Sequence, residues 1–231
     1  MLKDEGSRVK RARAKKAGAT PSRGSAKAGA KPAKKRASRA APEPGRTLVI
    51  VESPSKARTL GKILGKGYDI QSSVGHIRDL PKSRLAIDVD NGFEPEYILV
   101  RGKGAVVRNL KERASVSGRV LIASDPDREG EAIAWHLSET LGVDPGSPCR
   151  VRMYEITPKG VKEAFEQVST VDMKKVEAQQ ARRVLDRLVG YKLSPLLWDK
   201  IKRGLSAGRV QSAALKMICD RQGLIDSFVP R

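Results

Sequence analysis

The sequence predicts an α/β fold with a mainly parallel sheet, followed by a mainly helical region and preceded by a disordered basic tail. Two short, continuously apolar segments, 47–51 and 120–123, have the composition of strands that are buried on both faces. Each is followed by a turn and then by apolar residues at helical spacing. Because this strand–turn–helix order recurs, helices covering a mainly parallel sheet are the expected architecture.

The chain before the first strand is predicted to be disordered. Residues 1–45 carry +11 of the net charge of +20, and no Val, Ile, Leu, Met or aromatic residue occurs between Lys10 and Thr47. A segment of this composition buries too little apolar surface to offset its loss of conformational entropy. It would bind phosphates electrostatically. The alternative is a solubilising extension with no dedicated role.

The first strand–helix unit starts directly after the tail. Thr47–Val51 is the predicted strand, and Ser53 followed by Pro54 is a start signal for a helix. Apolar residues at helical spacing continue to Gly65, where the helix is expected to end. Two strand-like segments, 68–74 and 85–89, follow this unit.

The second unit consists of the strand Val120–Ala123, an acidic turn and a helix over residues 130–137. From about Thr157 onward helical patterns replace the strand signals. We therefore expect an α/β domain over residues 46–157 and a helical domain over residues 158–231.

Composition excludes several classes of protein. No apolar run approaches the roughly 18 residues of a membrane span, so we expect no association with a membrane. The sequence has 2 Cys and 2 His, which excludes a disulfide scaffold and argues against a Cys/His zinc site. The 46 Lys and Arg against 26 Asp and Glu indicate a polyanionic partner, most simply nucleic acid.

The acidic turn is the strongest candidate site. Its carboxylates are those of Asp125, Asp127, Glu129 and Glu131. Glu52 follows the first strand as Asp125 follows the second, so a parallel sheet would bring both to its carboxyl edge. Carboxylate oxygens are the ligands that Mg²⁺ prefers. The alternative, acids that only cap the next helix, explains one or two of them but neither all four nor Glu52.

Three cationic or titratable residues lie close to these acids in the predicted topology. Lys56, in the first turn of its helix, and Arg128, between the acids, are placed to contact a phosphate. The sequence leaves salt bridges within the site as an equal alternative. His76 follows a predicted strand and suits phosphate or base contact, although a single His is more often structural.

The helical region presents one amphipathic helix over residues 176–189. Its apolar stripe is Ala181, Val184, Leu185, Leu188 and Val189. The opposite side carries Gln179, Arg182, Arg183 and Asp186, with Arg187 adjoining. Arg182 and Asp186 are spaced to form an ion pair, which would orient the guanidinium towards phosphate. A solvated charged face is the other interpretation.

A further helix is predicted to begin within Gly204–Ser212, where small residues and free backbone N–H groups suit phosphate contact. Its expected core stripe is Val210, Ala214, Met217 and Ile218. Tyr191 and Trp198 are candidates for stacking on unpaired bases, but Trp198 is expected to belong to the core.

At these residues the chain resembles the type IA DNA topoisomerases of bacteria. Residues 48–57, 73–81 and 125–137 are similar to the motifs of their Toprim domain, which has a Rossmann-like fold. Residues 179–191 and 204–212 are similar to the neighbouring helical DNA-binding domain. The resemblance covers roughly residues 46–231 and leaves out the basic tail.

The resemblance implies a role for each matching residue. Glu52, Asp125 and Asp127 would hold Mg²⁺, with Glu129 close by as a catalytic residue. Lys56 and Arg128 would steady the scissile phosphate. The path of a single DNA strand would be lined by His76, Arg182, Arg183, Asp186, Arg187, Lys192, Ser206, Ala207, Gly208, Arg209, Val210 and Gln211.

The resemblance also implies an activity, the relaxation of negatively supercoiled DNA without ATP. A tyrosine of the family attacks one strand, forms a 5′-phosphotyrosyl link, and later releases the strand as it is resealed. That tyrosine belongs to a Met-Thr-Tyr type of motif that this sequence does not reach, so we expect an N-terminal fragment that is inactive alone. We expect a cytoplasmic, nucleoid-associated monomer.

Two alternatives stay open at this point. One is a non-catalytic module that binds single-stranded DNA, and the other is a different Toprim enzyme, a primase or nuclease. The segments 190–198 and 204–212 argue against the second.

Overall fold

A three-stranded parallel sheet lies at the centre of the structure, a computed structural model that describes residues 45–229. In chain order the elements are β1 (Thr47–Val51), α1 (Pro54–Leu64), β2 (Tyr68–Ser72), β3 (Arg78–Asp79), β4 (Ile87–Asp88), β5 (Glu94–Pro95), β6 (Ile98–Leu99), α2 (Gly104–Val116), β7 (Arg119–Ile122), α3 (Arg128–Leu141), α4 (Pro158–Glu166), α5 (Met173–Lys200) and α6 (Arg209–Asp226). The predicted disordered tail lies outside the described residues, apart from Gly45. No helix among residues 45–229 is long and apolar enough to cross a membrane.

β1 is the central strand, and it pairs in parallel with β2 on one side and with β7 on the other. Its continuous apolar run is buried from Leu48 to Val51, as expected for a strand that is covered on both faces. An isolated parallel bridge between Ile122 and Arg150 extends the sheet beyond β7. The short pairs β3–β6 and β4–β5 are antiparallel. The predicted α/β class with a mainly parallel sheet is confirmed.

Helices cover both faces of the sheet, because alternate residues of β1 point to opposite sides. Leu48 and Ile50 pack with residues of α2 and α3, including Leu110 and Leu137. Val49 and Val51 pack with residues of α1 and α4, namely Leu60 and Val161. The result is a helix–sheet–helix arrangement in which the carboxyl ends of β1 and β7 stay accessible between the layers.

The helices next to the sheet follow the local signals. The Ser53 side chain caps α1 by accepting from the backbone N–H of Lys56 at 3.2 Å. α3 begins at Arg128, two residues before its predicted start, and ends at Leu141, capped by Gly142 in the left-handed region with φ 70°. No pattern in the sequence predicted α2, and the predicted strand over 85–89 is reduced to the two residues of β4.

The segment after the sheet packs back onto it. Val161 of α4 is fully buried in the core beneath α1, and the backbone of Ser169 bonds to that of Arg150 in both directions, at 2.9 and 2.8 Å. The proposed division into 46–157 and 158–231 stays a prediction.

The two last helices differ from expectation in length and in burial. α5 has 28 residues and runs through Gly190 and Pro195, well past the predicted 176–189. The core stripe predicted for α6 is wrong, since Met217 and Ile218 are 73% and 66% exposed, and Val210 and Ala214 are exposed as well. Trp198, expected in the core, is 47% exposed. An amphipathic pattern marks the face that will be buried, and nothing among residues 45–229 buries the α6 face.

Candidate metal and nucleic-acid site

Two carboxylates meet at the carboxyl edge of the sheet. Glu52 follows β1 directly, and Asp125 lies three residues after the end of β7 at Ile122. The backbone N–H of Asp125 donates to Glu52 Oε1. Lys56 reaches both from the first turn of α1: its Nζ contacts Asp125 Oδ1 and lies 3.5 Å from Glu52 Oε1. The sequence expectation that Glu52 and Asp125 share one edge is therefore met, with a lysine ammonium between them.

Lys56 is held in its charged form by these neighbours. Partial burial would lower the pKa of Lys56, but the hydrogen bond to Asp125 and the negative charges of Glu52 and Asp125 outweigh burial and raise it. Both carboxylates thus already point towards a common cation.

The other three acids of the turn have separate partners. Asp127 caps α3, because its Oδ1 accepts from the backbone N–H of Gly130 at 2.7 Å. Glu129 Oε1 lies 2.5 Å from His76 Nε2, and Glu131 is fully buried in an ion pair. Capping therefore accounts for Asp127 alone, as expected, and the other acids of the turn have different protein partners. Among residues 45–229, no three His, Cys, Asp or Glu side chains form a ready metal-binding cluster.

The donor set nevertheless fits a hard divalent cation. Glu52 and Asp125 present carboxylate oxygens to one point, and Asp127 is exposed two residues further on. Arg128 is also exposed, and no ion pair in the described part of the chain involves it. The alternative of a salt bridge within the site therefore applies to Lys56 and not to Arg128.

The loop that carries His76 is tied to the end of β1. Val74 and Gly75 both have positive φ values, 57° and 83°, and such a value is strained for a β-branched residue. The Gly75 N–H donates to the Glu52 carbonyl at 2.7 Å. Lys103, which sequence reasoning missed, donates from Nζ to the carbonyls of Ser73, at 3.3 Å, and Val74. His76 is consequently presented to Glu129 by a fixed backbone.

A cavity of about 560 Å³ lies between this loop and α5. It is lined by His76, Arg78, Asp79, Lys82, Tyr97, Val100, Glu129, His136, Gln179, Arg182, Arg183 and Asp186. The cavity thus includes most of the residues predicted on the charged side of α5, together with His76 and Glu129.

The inner wall of the cavity includes two side chains, His136 and Tyr97, that the sequence did not mark as site residues. His136 is 3% exposed, and burial together with the positive charge of Arg78 lowers its pKa to about 3. Burial and the negative charge of Asp79 raise the pKa of Tyr97 to about 12. The two rings stack edge to face at 4.5 Å, and neither His136 Nδ1 nor the Tyr97 hydroxyl has a hydrogen-bond partner within residues 45–229.

The predicted arginines of α5 divide into two groups. Arg183 binds Asp79 through two nitrogens, with Nε at 3.0 Å and Nη2 at 2.6 Å, and so joins α5 to the end of β3. Arg182 forms the predicted pair with Asp186, at 3.8 Å, and is about half exposed. Asp186 also accepts from Arg209 Nε at 3.1 Å, which links α5 to the start of α6.

The remaining predicted contacts lie further along α5 and α6. Arg187 donates to the Pro81 carbonyl at 2.6 Å and lies over the ring of Tyr191, whose hydroxyl donates to the Lys82 carbonyl at 2.6 Å. Lys192 is exposed. The stretch Ser206, Ala207, Gly208, Arg209, Val210 and Gln211 is half-buried or exposed.

The comparisons with known proteins agree with this geometry. Residues 47–156 match the Toprim domain family, and residues 170–231 match the DNA topoisomerase family. The structure is similar to that of full-length topoisomerase I from Thermotoga maritima, with 52% identity and a TM-score of 0.75 over 80% of this chain. The chain spans 31% of that protein's length. On the two domain matches and this likeness, the chain belongs to the bacterial type IA DNA topoisomerase family.

Proposed function

We propose that this chain supplies the Mg²⁺-binding half and part of the single-strand-binding surface of a type IA DNA topoisomerase. The complete enzyme would relax negatively supercoiled DNA by transient cleavage and rejoining of one strand, without ATP. The observation that carries the proposal is the meeting of Glu52, Lys56 and Asp125 at the carboxyl edge of the sheet.

In this proposal, Glu52 and Asp125 hold the metal, with Asp127 as the third carboxylate. A bound Mg²⁺ supplies positive charge next to the scissile phosphate. Lys56 keeps the two carboxylates together before the metal binds, and Lys56 and Arg128 donate to the phosphate. Glu129 pairs with His76 and holds its imidazole at the edge of the cavity, where the imidazole would contact the DNA strand.

The strand path would follow the exposed cations from the cavity to the start of α6. Arg182, Lys192 and Arg209 have exposed or partly exposed groups and are proposed to contact phosphates. Arg183 donates to Asp79, and Arg187 donates to backbone carbonyls, so we propose that these two arginines fix the walls of the path and do not contact phosphates. We also propose a monomer that acts on DNA in the cytoplasm, associated with the nucleoid.

We propose that none of the four tyrosines of the chain is the nucleophile that attacks DNA. Tyr68 packs edge to face on Phe165, Tyr97 packs on His136, and the Tyr191 hydroxyl is bonded to a carbonyl. Tyr154 is 84% exposed in the connection before α4. We therefore expect the chain by itself not to relax plasmid DNA.

The test combines a plasmid assay with strand binding. We expect the chain with Mg²⁺ to leave supercoiled plasmid intact and to bind a single-stranded oligonucleotide more tightly when Mg²⁺ is present. Asp125→Asn should remove that Mg²⁺ effect, and the exposed, remote Asp90→Asn serves as control. Relaxation would contradict the assignment of the tyrosines, nicking would favour a nuclease, and binding indifferent to Mg²⁺ would favour a non-catalytic binding module.

A further inference from the structure

Arg150 is a fully buried arginine directly behind the acidic turn. Its guanidinium donates to four backbone carbonyls, those of Ile122 (3.3 Å), Ser124 (2.8 Å), Asp125 (2.6 Å) and Val151 (2.6 Å). Two of these carbonyls belong to the turn itself. Because the carbonyl of Ser124 faces Arg150, the amide of Asp125 in the same peptide faces the other way, where it donates to Glu52 Oε1.

Glu131 is the buried counter-ion of Arg150, and it extends the contact to another helix. Its Oε2 accepts from Arg150 Nε at 2.9 Å. Its Oε1 accepts from the backbone N–H of Asp172 at 2.8 Å and from Arg152 Nη2 at 3.3 Å. Asp172 is the residue that caps α5, so one carboxylate bonds both to the arginine behind the turn and to the first turn of α5.

A second contact joins the same two segments. Lys175, in the first turn of α5, donates from Nζ to the carbonyl of Pro126 at 3.1 Å. The acidic turn is thus bonded on its inner side to Arg150 and at its middle to α5.

Stability alone is a poor explanation for such a pair. Desolvating two charges costs several kcal/mol each, and well-packed apolar side chains often serve as well or better. What apolar residues cannot do is bind carbonyl groups and an N–H group in fixed directions. Here those groups are the backbone of the turn and the start of α5.

We propose that Arg150 and Glu131 are positioning residues for the acidic site. Arg150 holds the backbone of Ser124 and Asp125 so that Asp125 meets Glu52, and Glu131 makes this arrangement continuous with the first turn of α5. The proposal rests on the proposed function in one respect, that the ligand held by the turn is Mg²⁺.

The first test needs no metal. Arg150→Lys keeps the charge but loses the planar fork that reaches both Glu131 and the carbonyls. The matched control is Arg113→Lys, since Arg113 is also a buried arginine in an ion pair, with Asp69, but lies on α2 away from the turn. In amide hydrogen exchange with EDTA, Arg150→Lys should speed exchange at residues 124–131 and 172–176 by at least tenfold relative to Arg113→Lys. Equal exchange in the two variants would overturn the proposal.

The second test measures Mg²⁺ affinity by calorimetry. Supporting groups behind a metal ligand typically change affinity by 10–100-fold, so we expect the Kd for Mg²⁺ to rise about tenfold or more in Arg150→Lys and to change less than twofold in Arg113→Lys. Glu131→Gln keeps an acceptor for the Asp172 N–H and provides a second variant if Arg150→Lys does not fold. A rise no larger than in the control would overturn the proposal. If the unsubstituted chain binds no Mg²⁺, the metal assignment fails, and the exchange experiment still decides the role of Arg150.

Discussion

Gly130, in the first turn of α3, lies close against the backbone of Asp125 in the acidic turn. A Cβ placed on Gly130 would lie 2.1 Å from the carbonyl oxygen of Asp125 and 2.8 Å from its carbonyl carbon and nitrogen. Non-bonded heavy atoms normally stay roughly 3.5 Å apart. The contacted atoms are backbone, so no side-chain rotation relieves the overlap in Gly130→Ala. Either α3 or the turn must move by more than about 1 Å.

Two hydrogen bonds resist this movement. Ser124 Oγ donates to the Gly130 carbonyl at 2.6 Å, and Asp127 Oδ1 accepts from the Gly130 N–H at 2.7 Å. Overpacking in a fixed region costs about 3 kcal/mol, and the better helix propensity of Ala returns about 1 kcal/mol. We therefore expect Gly130→Ala to lower the free energy of unfolding by about 2 kcal/mol, or Tm by roughly 4–8 °C.

Gly61→Ala provides a control of opposite sign. Gly61 lies inside α1 with nothing within 4 Å of the added Cβ, so only the propensity gain applies and Tm should rise by roughly 2–4 °C. Thermal unfolding followed by circular dichroism, with and without Mg²⁺, measures both variants. A Gly130→Ala protein as stable as Gly61→Ala would refute the close approach of turn and helix.

Three further perturbations have defined outcomes. Lys56→Met removes the cation between two carboxylates, so in EDTA this variant should be less stable by about 1 kcal/mol. Adding Mg²⁺ should raise the Tm of the variant by more than it raises the Tm of the unsubstituted chain, which scanning fluorimetry measures. The pKa of His136 is about 3 in the folded chain against about 6.5 when unfolded, so only the unfolded state gains this proton between those values. The contribution of His136 to the free energy of unfolding should be fully present above pH 6.5 and should fall by about 2 kcal/mol between pH 6.5 and pH 5. Urea unfolding at each pH measures this loss, and His136→Asn should not show it. Arg183→Lys loses the two-nitrogen contact with Asp79 and should cost about 1 kcal/mol in urea unfolding, whereas Arg182→Lys, whose pair is exposed, should cost less than about 0.5 kcal/mol.

The parts of the fold that could be predicted are those with local signals. β1 is a continuous apolar run, α1 has a Ser cap followed by Pro, and both were placed to the residue. The approach of Glu52 to Asp125 was also predictable, although 73 positions separate them, because the carboxyl ends of adjacent parallel strands share an edge.

The parts that could not be predicted depend on partners that leave no mark in the sequence. Arg150 and Lys103 bind backbone carbonyls, and every residue has one, so no motif distinguishes these two from other basic residues. Sequence spacing likewise cannot divide the acids of the turn between buried and exposed sides. Glu131 is buried within α3, whereas Asp127 is exposed because it is the extended N-cap residue that precedes this helix.

This division is what the proposed metal site requires, namely a turn that holds a fixed shape while its bound cation is exchanged. On its inner side, Arg150 is fully buried, so water, salt and metal ions do not compete for its hydrogen bonds. On its outer side, Lys56 has a side chain that is 22% exposed and sits on a flexible stem, so a divalent ion from solvent can replace its ammonium. In the proposed Mg²⁺ site, Arg150 would therefore set the geometry of Asp125, and Lys56 would set how strongly Mg²⁺ must bind to take its place.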